Sequence, residues 1–203
     1  DVQLDNKLNL RLYYLIADIS YKINNFKDTE KYLLKYLESD RTNTKIFNFL
    51  GNIYLKKRDY KNSEKFYIQS INLDSKNETA LVNLAILYQN LGNQKMAVTY
   101  YKKILKVNPK NIGVLYNLSN MDKSIIDEKN VLMLKKIVEE KKLTNFNMAS
   151  SYFILAENEK IKKNFNKEIK LLKKANYYSF KEKDNINKQS NEYWFKIISN
   201  KFD

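Results

Sequence analysis

The stretch ETALVNLAILYQNLGNQKMAVTYYKKILKVNPKN, from Glu78 to Asn111, decides the fold because its residue types recur at a fixed distance along the chain. Residues 44–77 and 10–43 align with it without a gap, at a period of 34 residues. In the first half of each stretch a large apolar residue is followed by a small one, at Ile16-Ala17, Leu50-Gly51 and Leu84-Ala85. A period of this length indicates stacked helix pairs, since one pair alone cannot bury its apolar face.

Further columns of this alignment hold matching aromatic, apolar and small residues. The matching sets are Tyr54 with Tyr88, Phe26 with Tyr60, Leu33 with Tyr67 and Tyr101, and Thr29 with Ser63 and Ala97. The pattern resembles the tetratricopeptide repeat family, whose signature is met best by residues 78–111 with their terminal Asn108-Pro109. The resemblance implies an all-α fold, a right-handed α-solenoid of antiparallel, TPR-like helix pairs with about five units plus a C-terminal helix. An irregular helical bundle is the alternative.

The predicted domain organisation is a single TPR-like solenoid over residues 1–203. We place its units at about 10–43, 44–77, 78–111, 112–148 and 149–182, and the C-terminal helix at 185–202. The fourth unit is degenerate, because Asp122 replaces the tyrosine of the other units and three extra residues intervene. Within it, Ser124-Ile-Ile-Asp127 has the character of a helix start with a capping side chain.

Composition argues against an enzyme. The chain has no Cys and no His, which excludes thiol nucleophiles, imidazole bases and most metal-binding motifs. We therefore expect no catalytic residues, no cofactor and no metal site. With no apolar run long enough to span a bilayer and no signal peptide, the sequence predicts a soluble, cytoplasmic protein without a membrane partner. The missing initiator Met indicates a fragment or a processed form.

The net charge of +14 raises nucleic acid as a partner, and an RNA-binding helical repeat is one alternative function. Only Arg11, Arg41 and Arg58 among the 37 basic residues are arginine, however. Phosphate and base recognition favours the bidentate arginine fork, so the lysines indicate a solvated surface rather than a nucleic-acid site. Retention of RNA at low salt distinguishes the two interpretations.

The resemblance implies a concave groove lined by the first helix of each unit, which would bind a protein or peptide. The candidate groove residues are Tyr14, Asp18, Tyr21, Asn48, Asn52, Asn83, Ile86, Asn90, Tyr116, Asn117 and Asn120. Carboxamides offer both donors and acceptors to an extended peptide backbone. Asn83 and Asn117 share a column, as in the asparagine ladders of some members of the family.

A clamp for a C-terminal carboxylate, known in this family, is not expected here. It needs basic residues beside its amides, and these are replaced by Asn48, Thr79 and Gly113. The predicted function is therefore a non-catalytic scaffold with a mixed groove, in which Tyr14, Tyr21 and Tyr116 are aromatic anchors.

From Leu115 onward the chain also resembles the non-catalytic helical region of tetratricopeptide-sulfotransferase fusion proteins. The segments that carry this likeness are Leu115–Ser119, Phe153–Ala156, Phe165–Asn176 and Tyr193–Ile198. The likeness implies an alternative function, the accessory N-terminal module of a sulfotransferase whose catalytic domain is absent from this chain. The apolar helix at 185–202 either packs on the fifth unit or meets a missing C-terminal domain or a second subunit of a homo-oligomer.

Overall fold

A computed structural model describes the backbone of residues 2–182 and the side chains of residues 7–182. This part of the chain contains α-helices and one short 3₁₀-helix at Lys123–Ile125, and no strand. The helices are α1 (Val2–Lys22), α2 (Phe26–Ser39), α3 (Thr44–Lys56), α4 (Tyr60–Leu73), α5 (Glu78–Asn90), α6 (Gln94–Val107), α7 (Ile112–Met121), α8 (Glu128–Glu140), α9 (Asn145–Ile161) and α10 (Phe165–Glu182). The prediction of an all-α helical repeat solenoid is confirmed. The predicted helix at 185–202 lies outside the described residues.

The chain divides into two compact units, residues 1–109 and 110–203. In the first unit α1 packs on α2, α3 on α4, and α5 on α6, while α2 contacts α3 and α4 contacts α5. In the second unit α9 packs on α10 and also contacts α7 and α8. Each repeat of the first unit is therefore a helix pair that rests on the next pair.

Small residues mark where the two helices of a pair cross. Ala17 and Ala85 are buried, and Gly51 lies under the ring of Tyr67. Ser63 donates a hydrogen bond to the Gly51 carbonyl oxygen at 2.8 Å, which ties α4 directly to the α3 backbone. Close approach of two helices requires small side chains at the contact, so the helix crossing in each pair explains why small residues recur in this column.

Asparagine caps most helix starts in the first unit. The side chains of Asn25, Asn43, Asn77 and Asn93 each accept a hydrogen bond from a backbone N–H in the first turn of the helix that follows. A capping side chain satisfies an N–H group that has no partner within the helix and is worth about 1 kcal/mol. Much of the asparagine in this sequence is therefore structural.

A left-handed residue occupies the same position in every turn that joins the two helices of a repeat in the first unit. Asn24, Arg58 and Gly92 have φ angles of 59°, 60° and 75°, and they are spaced at the 34-residue period. Lys163, in the turn between α9 and α10, has a φ of 58°. This conformation closes the preceding helix, and glycine adopts it at the lowest cost.

A tyrosine–glutamate pair connects successive repeats. The Tyr54 hydroxyl donates to Glu30 Oε1 at 2.5 Å, and Tyr88 donates to Glu64 one period later. Lys57 also binds Glu30. Burial of Glu30 acts to raise the pKa of its carboxyl, but the hydrogen bonds from Lys57 and Tyr54 outweigh burial and lower it. Each pair joins the first helix of one repeat to the second helix of the repeat before it.

The degenerate fourth unit differs in a way that Asp122 explains. Its carboxylate caps the 3₁₀-helix by accepting from Ser124 N at 3.1 Å, so α7 ends at Met121. The helix start predicted at Ser124–Asp127 is confirmed, since Asp127 caps α8 and accepts from Asn130 N at 2.7 Å.

Candidate functional site

Two of the predicted groove asparagines, Asn52 on α3 and Asn83 on α5, are in direct contact. Asn83 donates its Nδ2 hydrogen to Asn52 Oδ1 at 3.2 Å. The Tyr67 hydroxyl donates to the same oxygen at 2.7 Å. Because Asn52 Oδ1 accepts both bonds, its amide group must turn its Nδ2 donors away from Tyr67.

The remaining polar atoms of this pair are suited to a polypeptide backbone. Within residues 7–182 no side chain or backbone group is found to bind Asn52 Nδ2 or Asn83 Oδ1. Both side chains are half-buried. The pair therefore presents donors from Asn52 and an acceptor from Asn83, which is the complement of a peptide C=O and N–H.

The buried Tyr67 fixes the orientation of the Asn52 amide. Its side chain is fully buried, and burial raises the pKa of Tyr67 to about 12. The hydroxyl therefore stays protonated, and able to donate to Asn52, to a higher pH than an exposed tyrosine would.

Asn48 lies beneath the surface rather than on it. Only 6% of the residue is exposed, and its Nδ2 donates to Asn77 Oδ1 at 3.3 Å. Since Asn77 caps α5, this contact links the middle of α3 to the start of α5. Asn48 Oδ1 is buried, and no partner for it is found among the described residues.

Aromatic side chains cluster on the α1 side of these asparagines. The Tyr21 and Phe49 rings meet edge to face with centroids 5.1 Å apart, and Tyr14 approaches Phe49 at 6.4 Å. Tyr14 is 42% exposed, so part of its ring faces solvent. Sequence reasoning missed Phe49, although it occupies the column of Asn83 one period earlier and that alignment could have found it.

The other predicted residues of the first unit are spread along the same helices. Asp18 forms an ion pair with Lys22 at 2.8 Å, and the Asp18 hydrogen bond and charge raise the pKa of Lys22. Ile86 is half-buried on α5, and Asn90 is exposed at the end of that helix.

Tyr116, Asn117 and Asn120 lie on α7, in the second unit. The Tyr116 and Phe153 ring centroids are 5.9 Å apart. A cavity of about 120 Å³ opens between α7, α9 and α10, with Tyr116 and Asn120 in its lining. Lys123 binds Glu157 at 3.2 Å at the same place. Asn83 and Asn117 belong to different compact units, and the proposed ladder between them stays a prediction.

A larger cavity that the sequence did not indicate, of about 400 Å³, lies between α8, α9 and α10. Its lining includes Lys135, Lys141, Tyr152, Leu155 and Lys174. Tyr152 stacks on Tyr178 with centroids 5.8 Å apart. The lining combines apolar side chains with these lysines and with the carboxylates of Glu139 and Glu159.

Neither a membrane-spanning helix nor a metal-binding cluster is found in the described part of the chain. No helix within residues 2–182 has both the length and the apolar character needed to cross a membrane. No group of three or more acidic side chains among the described residues is arranged to hold a metal ion.

Comparison with known structures places the fold among helical repeat proteins. The crystal structure of the MamA protein is 18% identical with a TM-score of 0.61, and the match covers 88% of this chain and 95% of MamA. The structure of YrrB, described as a TPR protein with an unusual peptide-binding site, is 18% identical with a TM-score of 0.58, covering 82% of this chain and 84% of YrrB. The first TPR of Spaghetti (RPAP3), bound to an HSP90 peptide, is 12% identical with a TM-score of 0.52, covering 59% of this chain and 98% of that domain.

Sequence comparison identifies the repeats themselves. No curated protein matches the sequence significantly. Family models described as tetratricopeptide repeat match residues 10–43, 44–77 and 79–111. The aligned columns of the sequence, the paired helices and these three matches agree, and the chain belongs to the tetratricopeptide repeat family.

Proposed function

We propose that this chain is a non-catalytic protein-interaction scaffold that binds an extended segment of a partner protein across α1, α3 and α5. The repeat family supports this role, as do two structures with the same fold. YrrB is described as having a peptide-binding site, and the RPAP3 domain is bound to a peptide.

The observation that carries the proposal is the Tyr67–Asn52–Asn83 chain of hydrogen bonds. Two donors fix Asn52 Oδ1, so the amide does not need to reorient when a peptide arrives. Groups held in position before binding lose less conformational entropy on binding. A backbone-directed contact of this kind gives affinity with little dependence on the peptide sequence.

Sequence preference would come from the aromatic cluster of Tyr14, Tyr21 and Phe49. Tyr14 offers a partly exposed ring beside rings that are already packed. Aromatic residues supply much of the binding energy at protein interfaces. The proposed partner is therefore an internal extended segment that carries an apolar or aromatic side chain beside its backbone contact.

The experiment is capture of immobilised peptides from a random library by the purified chain. We expect Asn83→Ala to reduce retention about tenfold, corresponding to a loss of about 1.4 kcal/mol. Asn72→Ala is the matched control, because Asn72 is an exposed asparagine on α4, outside the proposed contact. Equal capture by the wild type and Asn83→Ala would contradict the proposal.

The sulfotransferase alternative rests on sequence segments between Leu115 and Ile198. Sequencing the gene past Asp203 tests it. A glycine-containing phosphate loop there would support it, and a stop codon would exclude it.

A further inference from the structure

Five aliphatic side chains on α1 form one exposed stripe. Leu8, Leu12, Leu15, Ile19 and Ile23 are between 50% and 68% exposed. At 3.6 residues per turn they lie within an arc of about 80°. Single exposed leucines are ordinary on a protein surface, whereas a contiguous apolar stripe marks a contact surface.

Two columns of this stripe are covered in the next two repeats. One period later the columns of Leu12 and Ile19 hold Ile46 and Ile53, which are 1% and 0% exposed on α3. Two periods later they hold Ala80 and Leu87, both 0% exposed on α5. These residues are on the helices that contact the preceding pair, since α3 packs on α2 and α5 packs on α4. Leu12 and Ile19 thus lie in stacking columns that no described helix covers on α1, whereas Leu15 lies in the column of the half-buried Phe49 and Asn83, and the columns of Leu8 and Ile23 hold exposed residues in both later repeats.

Opposite charges flank this stripe along one edge. Arg11 precedes Leu12 and Asp18 precedes Ile19, so both charges lie on the same side of the stripe. On α3 the corresponding residues are Lys45 and Asn52, and on α5 they are Thr79 and Ile86. Among these three helices only α1 has a pair of opposite charges at these positions, and α1 is also the helix whose stacking columns are uncovered.

We propose that the stripe binds the same stripe of a second copy of this chain, with the two α1 helices antiparallel. Leu8, Leu12, Leu15 and Ile19 are spaced by four, three and four residues, the spacing of a coiled-coil seam. In the antiparallel arrangement Leu12 packs on Leu15 of the second copy and Leu8 packs on its Ile19. Two-fold symmetry makes each contact twice.

The charges select this orientation. Antiparallel pairing brings Arg11 opposite Asp18 of the second copy, and symmetry repeats the ion pair. Parallel pairing would instead place Arg11 opposite Ile16 of the second copy, leaving the charge beside an apolar residue. Charged residues at the edges of a helical seam set partner choice and orientation. Asp18 already forms an ion pair with Lys22, whose side chain is 70% exposed. A surface pair of this kind contributes little energy, so Asp18 can exchange Lys22 for Arg11 of the second copy.

Sedimentation equilibrium of the full chain tests the interface. We expect a dimer for the wild type and a monomer for Leu12→Lys combined with Leu15→Lys. Both leucines are at least 50% exposed, so the change leaves the fold intact, which circular dichroism checks. Leu73→Lys is the control, because Leu73 is an isolated 47% exposed leucine on α4, and this variant should remain a dimer. A monomeric wild type, or a dimer that survives the double substitution, would overturn the proposal.

A charge exchange tests the orientation. Arg11→Asp alone places two carboxylates together across the interface, and Asp18→Arg alone places two guanidinium groups together. We expect each variant alone to dimerise about tenfold more weakly at low salt, and an equimolar mixture to recover wild-type affinity as a heterodimer. A mixture no tighter than either variant alone would overturn the antiparallel pairing.

Discussion

The ring of Tyr67 lies across Gly51 so closely that a β-carbon on residue 51 would stand 2.4 Å from Tyr67 Cε1. Passing over the glycine, the Tyr67 hydroxyl reaches Asn52 at 2.7 Å. In the next repeat Ile86 stands in the column of Asn52 and offers no acceptor, and Tyr101 donates to Gln89 instead, at 2.8 Å. The missing side chain at position 51 therefore leaves room for the Tyr67 ring, and the acceptor at position 52 takes its hydroxyl hydrogen, which orients the groove amide.

We expect Gly51→Ala to destabilise the protein by about 1–3 kcal/mol, because the new methyl group meets a ring that is fully buried and cannot move aside. The higher helix propensity of alanine, about 1 kcal/mol, offsets only part of this cost. Urea unfolding measures the difference. Gly113→Ala is the control, since its β-carbon would come no closer than 3.4 Å, to the half-exposed Phe146, and should leave stability unchanged or slightly raised.

Asn52 and Tyr67 should show strong energetic coupling. Asn52→Ala leaves the buried Tyr67 hydroxyl without an acceptor, which costs about 1–3 kcal/mol. In a Tyr67→Phe background no hydroxyl remains to be left unpaired, so Asn52→Ala should cost less than half as much. A double-mutant cycle by urea unfolding measures the coupling. Additive effects would show that the 2.7 Å contact contributes nothing.

The Tyr54–Glu30 contact predicts a loss of stability in base. Burial, with the Glu30 hydrogen bond and charge, raises the pKa of Tyr54 from 10.0 to about 12. Because the folded-state pKa is the higher one, the Tyr54 contribution is complete below pH 10 and is lost as the pH rises from 10 to 12. The difference in unfolding free energy between the wild type and Tyr54→Phe should therefore be constant near neutral pH and shrink above pH 10.

Tyr60→Phe provides the comparison for that measurement. Tyr60 is 38% exposed at the start of α4. That variant controls for the removal of a hydroxyl group from a tyrosine at the protein surface. A Tyr54→Phe variant that differs from the wild type equally at neutral and alkaline pH would contradict the assignment.

The left-handed turn position predicts opposite effects for two substitutions. Gly92→Ala places a β-carbon at a φ of 75° and should cost about 1 kcal/mol. Arg58→Gly relieves the same strain at a φ of 60° and should stabilise the protein by a few tenths to about 1 kcal/mol. Thermal unfolding of the two single variants measures both, and a shift of the same sign in each would be contrary to expectation.

The sequence period was sufficient to predict the helical repeat, because close helix crossings need small residues and the column of Ala17, Gly51 and Ala85 shows them directly. The capping start at Asp127 could also be predicted from local chemistry. Neither inference required knowledge of distant contacts.

The site was harder to predict, because aligned residues do not adopt identical orientations. Tyr67 and Tyr101 share a column yet bind different helix positions, because the acceptor is Asn52 in one repeat and Gln89 in the next. The frequency of asparagine also made the groove residues hard to recognise in the sequence. Many asparagines, such as Asn43 and Asn77, cap helices and do not line the groove. The partner of the buried Asn48 is likewise distant in the sequence, since Asn77 lies 29 residues away.

The tyrosine–glutamate pairs allow this array to gain repeats without losing the contacts between them. Each pair takes its donor from one repeat and its acceptor from the repeat before, at the same two columns. A duplicated block of residues 44–77, inserted in tandem, would carry a tyrosine for the glutamate upstream and a glutamate for the tyrosine downstream. Lengthening the protein by unequal recombination would thus need no new contact to be invented. The next residue in the glutamate column is Val98, and the next in the tyrosine column is Asp122. These two residues cannot form the pair, so the pairing ends after the third repeat.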